Sequence, residues 1–257
     1  MAYIYNLGKY EVSREQIDKA NTAGSLGITM YDMTSYGGNG ANRPATGVSW
    51  YESATYVNWL NTSTGGTAAY KFDGSGNFQL WSSTDAGYNA NNLFRNSLAK
   101  YVIASSDEWY KGAYGNRDGT WNDYATGSDI RPSAVAGGTD PNTAVYDEQA
   151  GPADINNAGG LSSYGTMGQG GNVWEWMETT FDGSNSTAGE SRGLRGGAWY
   201  VPGSSGLVAS FRGLGFNPSD ELYWAGFRVV SVPEPSSLSL LVLGGVAVAL
   251  RRRQKRA

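Results

Sequence analysis

The 257-residue sequence lacks two residue types entirely, cysteine and histidine. Without thiols the chain can form no disulfide bond, thiolate nucleophile or redox pair. Without imidazole it has no histidine general base, and zinc and copper lose their usual ligands. These absences exclude the commonest nucleophilic, redox and transition-metal chemistries. They do not assign a compartment, because many bacterial envelope proteins avoid thiols.

Positive charge is scarce outside the extreme C-terminus. Five of the 19 Lys and Arg residues lie between Arg251 and Arg256, which leaves 14 basic against 23 acidic residues in the rest of the chain. Nucleic-acid binding needs a concentrated basic face. We therefore expect no nucleic-acid partner.

Glycine and large aromatic residues are abundant: 37 Gly, 17 Tyr and 9 Trp. This composition predicts a loop-rich domain that is held together by aromatic packing more than by long helices. Local motifs predict a few regular elements. Three capping boxes, in which Ser is followed three residues later by Glu or Gln, predict helix starts. They are Ser13 with Gln16, Ser49 with Glu52, and Ser105 with Glu108. Alternating apolar residues on both sides of Asp73–Asn77 predict a β-hairpin.

The segment that stands out most is Gly171-Asn172-Val173-Trp174-Glu175-Trp176, in which two tryptophans flank one carboxylate. About twenty residues later it is followed by Leu194-Arg195-Gly196-Gly197-Ala198-Trp199. Such segments bury large aromatic area while the glycines permit unusual backbone conformations. The two segments indicate either a functional site or a structural role, in which they close the hydrophobic core of one particular fold.

Residues 232–257 differ in composition from the rest of the chain. Val232-Pro233-Glu234-Pro235 forms a proline-restricted hinge, Leu238–Leu250 carries no charge, and a basic cluster follows. The apolar run is short for a membrane span of about 20 residues. A buried core helix would not end in several arginines, so the pattern favours a C-terminal anchor whose basic end is cytoplasmic.

The hinge, the apolar run and the basic cluster together resemble the PEP-CTERM sorting signal of Gram-negative bacteria. The resemblance implies export, temporary anchoring in the inner membrane by a C-terminal hydrophobic helix, and removal of that anchor by an exosortase-type transpeptidase. It also implies an association with exopolysaccharide production. Proteins of this kind begin with a signal peptide, which Met1–Tyr5 does not resemble. Met1 is therefore a candidate internal or truncated start.

The remainder of the chain resembles the formylglycine-generating enzyme domain, or sulfatase-modifying factor domain. Seven segments match in the family's order: Gly8-Lys9-Tyr10-Glu11-Val12-Ser13, Pro44 with Val48-Ser49-Trp50, Asp107-Glu108-Trp109-Tyr110-Lys111, Gly165-Thr166-Met167-Gly168, the two segments described above, and Gly226-Phe227-Arg228-Val229. The resemblance implies an α+β fold related to C-type lectins, with few helices, short antiparallel strands and much irregular loop. It divides the chain into a domain at 1–231 and a sorting segment at 232–257.

Two positions decide whether the family's chemistry is expected. The family's enzyme oxidises a cysteine of sulfatases to formylglycine with two cysteines that hold copper(I). Their matching positions here are Val201 and Gly206. Neither side chain offers a soft donor for copper(I), and the chain has no histidine for iron. We therefore expect no catalytic residues and no catalysis by either family mechanism.

The resemblance also implies a structural calcium ion. Its matching ligands are the carbonyls of Gly171 and Val173 and the carboxylate of Glu175, while Gly168 stands where the family has an asparagine. Calcium prefers 6–8 oxygen ligands, so the loss of one weakens the site. The alternative is that Glu175 pairs with an arginine such as Arg195, or accepts backbone N–H bonds in a dry core.

Other charged residues have both structural and functional interpretations. Asp107 and Glu108 are adjacent carboxylates, but their place in the first turn of a capped helix favours a capping role. Arg212 and Arg228 are candidates for binding a carboxylate or sulfate, although buried arginines also hold irregular loops together. We favour the structural role for both.

The sequence thus predicts an exported, non-catalytic binding module of the cell envelope or extracellular matrix. Its expected partners are an exosortase-type enzyme and a polysaccharide or surface protein, because lectin-like surfaces stack aromatic side chains on sugar rings. The alternative is an enzyme of the same superfamily whose chemistry needs neither cysteine nor histidine. A purely structural matrix component is a third possibility.

Overall fold

The computed structural model describes residues 3–232, and the predicted C-terminal helix and membrane anchor lie outside that range. Three α-helices are present in the described part: α1 (Arg14–Gly24), α2 (Trp50–Thr62) and α3 (Ser106–Tyr114). Each begins at one of the predicted capping boxes, with the Ser hydroxyl and the Glu or Gln side chain both bonded to the backbone. The three predicted helix starts are confirmed.

The strands are short, as expected for an α+β fold with much loop. In chain order they are β1 (Asn6–Leu7), β2 (Lys71–Phe72), β3 (Phe78–Gln79), β4 (Tyr101–Ile103), β5 (Ser133–Ala134), β6 (Thr143–Ala144), β7 (Trp174–Thr180), β8 (Arg192–Arg195), β9 (Leu214–Phe216), β10 (Ala225–Phe227) and β11 (Val229–Ser231). Strands β2 and β3 pair as the predicted hairpin. Most pairs are antiparallel, but β5 pairs with β6, and β7 with β10, in parallel.

The largest sheet has the order β10-β7-β8-β9 and places Glu175 near its centre. In this sheet Glu175 lies beside Gly226 of β10 and Arg195 of β8. A second sheet, β1-β11-β4, pairs the start of the domain with its end. Because β10 is followed almost directly by β11, the two sheets are linked beside the central carboxylate.

The core is dominated by indole rings. Trp50, Trp109, Trp176 and Trp199 are all at most 1% exposed. Two of the indole N–H groups bond across the core: Trp50 donates to the Met177 carbonyl, and Trp176 donates to the Val48 carbonyl, both at 3.0 Å. Burying such rings with their polar atoms bonded stabilises an irregular fold without long helices.

The long segment between α3 and β7 has little regular structure apart from β5 and β6. It is nevertheless tied down by backbone bonds, for example from Asn172 N–H to the Val145 carbonyl at 2.7 Å. The segment is therefore held in place by hydrogen bonds although it has little regular structure. Within residues 3–232 no helix is long and apolar enough to cross a membrane.

Candidate functional site

The carboxylate between the two tryptophans is fully buried and fully bonded. Glu175 Oε1 accepts from Arg228 Nη2 at 2.7 Å, and Oε2 accepts from Arg228 Nε at 2.8 Å. Oε2 also accepts from the indole N–H of Trp109 at 2.8 Å. Burial alone would lower the pKa of Arg228, but the Glu175 carboxylate raises it on balance. This is a structural ion pair in the dry core, and Arg228 has the structural role that we expected.

The suggested pairing with Arg195 is wrong. Arg195 lies opposite Glu175 in the β7–β8 register. Its guanidinium is instead held by the Ser106 hydroxyl at 3.2 Å and the Phe211 carbonyl at 3.0 Å. These contacts hold the Arg195 side chain away from the core carboxylate. Glu175 therefore pairs with Arg228, the residue that follows β10.

The residues at the predicted calcium site do not fit the ion. Gly171 and Val173 are buried beside Glu175, but the Glu175 oxygens face a guanidinium that repels a cation. The family's asparagine side chain also has no room, because a Cβ at Gly168 would collide with the carboxylate of Glu11. In residues 3–232 no three Asp or Glu side chains are grouped to hold a metal.

The backbone at this point needs glycine for a steric reason. Gly171 has a φ of +100°, and a Cβ there would lie 2.5 Å from the Val145 carbonyl oxygen. The segment therefore packs directly on the backbone of the preceding loop. This explains the glycine before the two tryptophans as a feature of core closure.

A second carboxylate, Glu11, is buried in the same region and was not singled out as a site from the sequence. It is 1% exposed, and its Oε1 accepts from the Asn172 side chain at 2.8 Å while Oε2 has no partner. Burial raises the pKa of Glu11 to about 7, although the charge of Arg228 opposes the shift. This part of the core thus holds one arginine and two carboxyl groups, of which Glu11 is about half protonated near pH 7.

A second buried network joins α3 to β7. Arg95 donates to both Glu108 oxygens at 2.9 Å and to Glu178 Oε2 at 2.8 Å, and Tyr70 also donates to Glu178 at 2.8 Å. Burial would raise the pKa of Glu108, but Arg95 lowers it to about 2. Glu108 caps α3, as expected, and in addition bridges to Arg95. That bridge was not predictable from the local motif.

The two positions that match the family's cysteines lie in the loop after β8. Val201 is half-buried, and its carbonyl accepts from the Asp147 N–H at 3.0 Å. Gly206 is buried, and a Cβ there would lie 3.4 Å from the ring of Trp174. Neither position carries a donor atom on its side chain.

Around this loop the structure gathers aromatic side chains into one surface, which we call the aromatic face. It consists of Tyr31, Tyr36, Tyr200, Tyr223 and Trp224. Tyr223 is its centre, with ring centroids 5.3 Å from Tyr31, 5.2 Å from Tyr36 and 6.4 Å from Tyr200. Tyr200 in turn lies 6.2 Å from Trp224. Tyr31 is exposed and the other four are half-buried.

Three separate segments build the aromatic face. Tyr31 and Tyr36 come from the loop between α1 and α2, Tyr200 directly precedes Val201, and the remaining pair directly precedes β10. Sequence reasoning could not tell which of the many aromatics are exposed. The structure places partly exposed rings next to the position where the family has a cysteine.

Comparisons with known proteins agree with this fold. Residues 3–232 match the family described as "Sulfatase-modifying factor enzyme 1-like domain", and residues 231–253 match the "PEP-CTERM protein-sorting motif". The sorting motif implies export, membrane-anchored sorting and processing by an exosortase-type enzyme. The membrane span itself stays a prediction, since it lies outside the described residues. No curated protein matches the chain significantly in sequence.

Solved structures share the fold at low sequence identity. Treponema denticola variable protein 1 is 18% identical with a TM-score of 0.63, covering 89% of this chain and 84% of that one. CarF is 18% identical with a TM-score of 0.61, covering 90% and 87%. PvdO from Pseudomonas aeruginosa is 16% identical with a TM-score of 0.55, covering 89% and 80%. With a family match over nearly all described residues, this chain belongs to the sulfatase-modifying factor enzyme 1-like domain family.

Proposed function

We propose that this exported domain is a non-catalytic binding module whose aromatic face binds an extracellular polysaccharide. The observation that carries the proposal is the position of the aromatic face: Tyr200 lies next to Val201, where the family has a catalytic cysteine. Its five rings form one connected cluster, and four of them are tyrosines that combine an apolar ring with a hydroxyl group. Sugar rings, which have apolar faces and polar edges, suit such a surface.

The surroundings of the carboxylates also support binding over catalysis. Glu108, Glu175 and Glu178 are all fully buried, and their oxygens are bonded to arginine, tryptophan or tyrosine donors. General acid–base catalysis needs a carboxyl group within reach of a substrate. These three groups hold the core together instead.

The proposal places the domain at the cell surface or in the extracellular matrix, after the PEP-CTERM segment has anchored it in the inner membrane and an exosortase-type enzyme has processed it. A polysaccharide produced by the same cell is then the partner that the domain meets after export. No second function has a specific structural observation in its favour among the described residues.

The test is binding of the full chain, in mild detergent, to immobilised polysaccharides in affinity electrophoresis. Replacing one stacking ring, as in Tyr223→Ala, removes about 1 kcal/mol of contact energy and should weaken binding about fivefold. Trp121→Ala is the matched control, because Trp121 is 54% exposed and lies outside the aromatic face. Equal effects of the two variants, or oxidation of a cysteine-containing sulfatase peptide by the full chain, would overturn the proposal.

A further inference from the structure

A polar groove of about 320 Å³, which we call the arginine groove, lies between the start of α3 and the end of β7. Arg195 and Arg212 line it from one side, and Ser106, Thr179 and Phe181 contribute to the rest. Phe181 is 54% exposed, so one aromatic ring also stands at the groove. The groove thus combines guanidinium groups, hydroxyl groups and one exposed ring.

The guanidinium of Arg195 is held in place but not neutralised. Ser106 and the Phe211 carbonyl occupy Nε and Nη1, and the guanidinium carbon lies 5.4 Å from the centre of the Tyr110 ring. Nη2 makes no hydrogen bond with residues 3–232. Within the same range neither Arg195 nor Arg212 takes part in an ion pair. Burial lowers the pKa of Arg195, and nearby Arg212 adds to this effect.

Three arginines of the core show how this chain uses a guanidinium that has only a structural role. Arg95 and Arg228 each face carboxylates at 2.7–2.9 Å. Arg192 has no carboxylate partner, but it is fully buried between two aromatic rings. Its guanidinium carbon lies 4.3 Å from the centre of the Trp50 ring and 4.1 Å from that of Phe94. Arg195 differs from all three, because it has no carboxylate partner, is only half-buried and lies at a groove.

Two carboxylates also line the groove, and they shape the expected specificity. Asp182 is engaged in its own turn, where Oδ1 accepts from the Thr180 hydroxyl at 2.8 Å and the Ser184 N–H at 2.9 Å. Asp107 lies in the first turn of α3. Two arginines and two aspartates make the groove neutral overall. Recognition of an anion must therefore come from directed N–H bonds and not from a diffuse positive field.

Packed side chains of the interior connect the groove to the aromatic face. Phe211, whose carbonyl binds Arg195, packs its ring 5.8 Å from Trp174, which lies 6.4 Å from Trp224 of the aromatic face. Arg212 is the next residue in the chain. A polymer that is long enough to reach both surfaces contacts the aromatic rings and the two guanidinium groups.

We infer that the arginine groove binds the carboxylate of an acidic sugar residue, so that the polysaccharide ligand is acidic rather than neutral. This inference rests on the proposed function, since it assigns a second contact to the same ligand. Arg195, whose guanidinium is already oriented, donates through Nη2, while Arg212 closes on the carboxylate from the exposed side. The hydroxyl groups of Ser106 and Thr179 suit the ring hydroxyls of a sugar.

The test compares polygalacturonate with its methyl ester, which has the same backbone without the charge. The full chain should bind the acidic polymer about tenfold more tightly, because hydrogen bonds to charged groups are the stronger ones. Arg212→Gln should abolish that preference, because it weakens binding of the acidic polymer more than binding of the ester. Arg117→Gln is the control, since Arg117 is exposed, lies outside the groove and changes the net charge equally.

The outcomes separate this inference from the proposed function. If both polymers bind equally, Arg212→Gln has no effect and Tyr223→Ala weakens both, the arginine groove is not an anion site although the aromatic face binds sugar. If neither polymer binds, free galacturonate is titrated against the arginine Nε–H resonances in an NMR spectrum. A shift of the Arg195 resonance that is absent in Arg212→Gln would show that the groove binds a carboxylate, although the domain does not bind the polysaccharide. No shift would overturn it.

Discussion

Arg228 and Glu175 form a two-point ion pair in which neither side chain is exposed to solvent, with both N···O distances below 3 Å. The pair connects two segments that are 53 residues apart. The remaining guanidinium hydrogens are satisfied by the carbonyls of Gly8, Lys9 and Met167. One side chain therefore joins β7, the residue after β10, the N-terminal segment and the loop before Gly171.

Replacing one partner of this pair should be costly. In Glu175→Gln the buried guanidinium keeps its charge but loses its counter-charge, which typically costs about 3–5 kcal/mol of unfolding free energy. Urea unfolding at pH 7 measures the loss. The control is Glu15→Gln, which breaks the exposed Lys19–Glu15 pair and should cost less than about 1 kcal/mol. Similar losses in the two variants would contradict the structural role of the buried pair.

The helix starts were predictable from sequence and the Glu175 pairing was not. A capping box is local, since the Ser, the Glu or Gln and the backbone groups that they bind lie within four residues. Glu175 could have met any of several arginines. Its actual partner follows from the parallel pairing of β7 with β10, which no short motif encodes.

The candidate binding surface was also only partly predictable from the sequence. The sequence identified Val201 as the position of a lost cysteine, through the family's order of segments. It did not show that Tyr31 and Tyr223, 192 positions apart in the printed numbering, would come into contact. Exposure is a property of packing, so the aromatic face was visible only once the loops were placed.

Calcium removal should leave the stability of the domain unchanged. The oxygens of Glu175 already accept three N–H bonds, and the guanidinium of Arg228 occupies the side from which a cation would approach. The midpoint of thermal unfolding should therefore be the same in EGTA and in calcium chloride. A midpoint that calcium raises in the wild type but not in Glu175→Gln would show that the ion binds at this carboxylate after all.

Arg192 should tolerate a neutral replacement better than a charged one. Its guanidinium stacks between Trp50 and Phe94 and donates to the Ala188 carbonyl at 3.0 Å and to that of Glu190. Lysine keeps the buried charge but cannot stack as a plane or reach both carbonyls, whereas methionine fills the space without a charge. We expect Arg192→Lys to lower the unfolding free energy more than Arg192→Met does. The opposite order in urea unfolding would mean that the charge itself is needed.

Glu11 should make the stability of the domain fall as pH rises, which is the opposite of the usual effect of a carboxyl group. Its pKa rises to about 7 in the folded state, mainly because burial penalises the charged form. In the unfolded chain the group titrates near 4.5. Between these values the folded state binds the proton and the unfolded state does not, so stability falls as pH rises. The contribution is fully present below about pH 4.5 and is lost by about pH 7.

Glu11→Gln isolates this contribution, because glutamine keeps the shape of the protonated acid and cannot ionise. We expect the unfolding free energy of the variant, relative to the wild type, to increase between pH 4.5 and pH 7 and then to level off. Urea unfolding at half-unit pH steps gives this difference directly. Glu108, whose pKa is lowered to about 2, titrates below this window and affects both proteins alike. A difference that does not change with pH would show that Glu11 is ionised in the core, and that Arg228 then stabilises the charges of both Glu11 and Glu175.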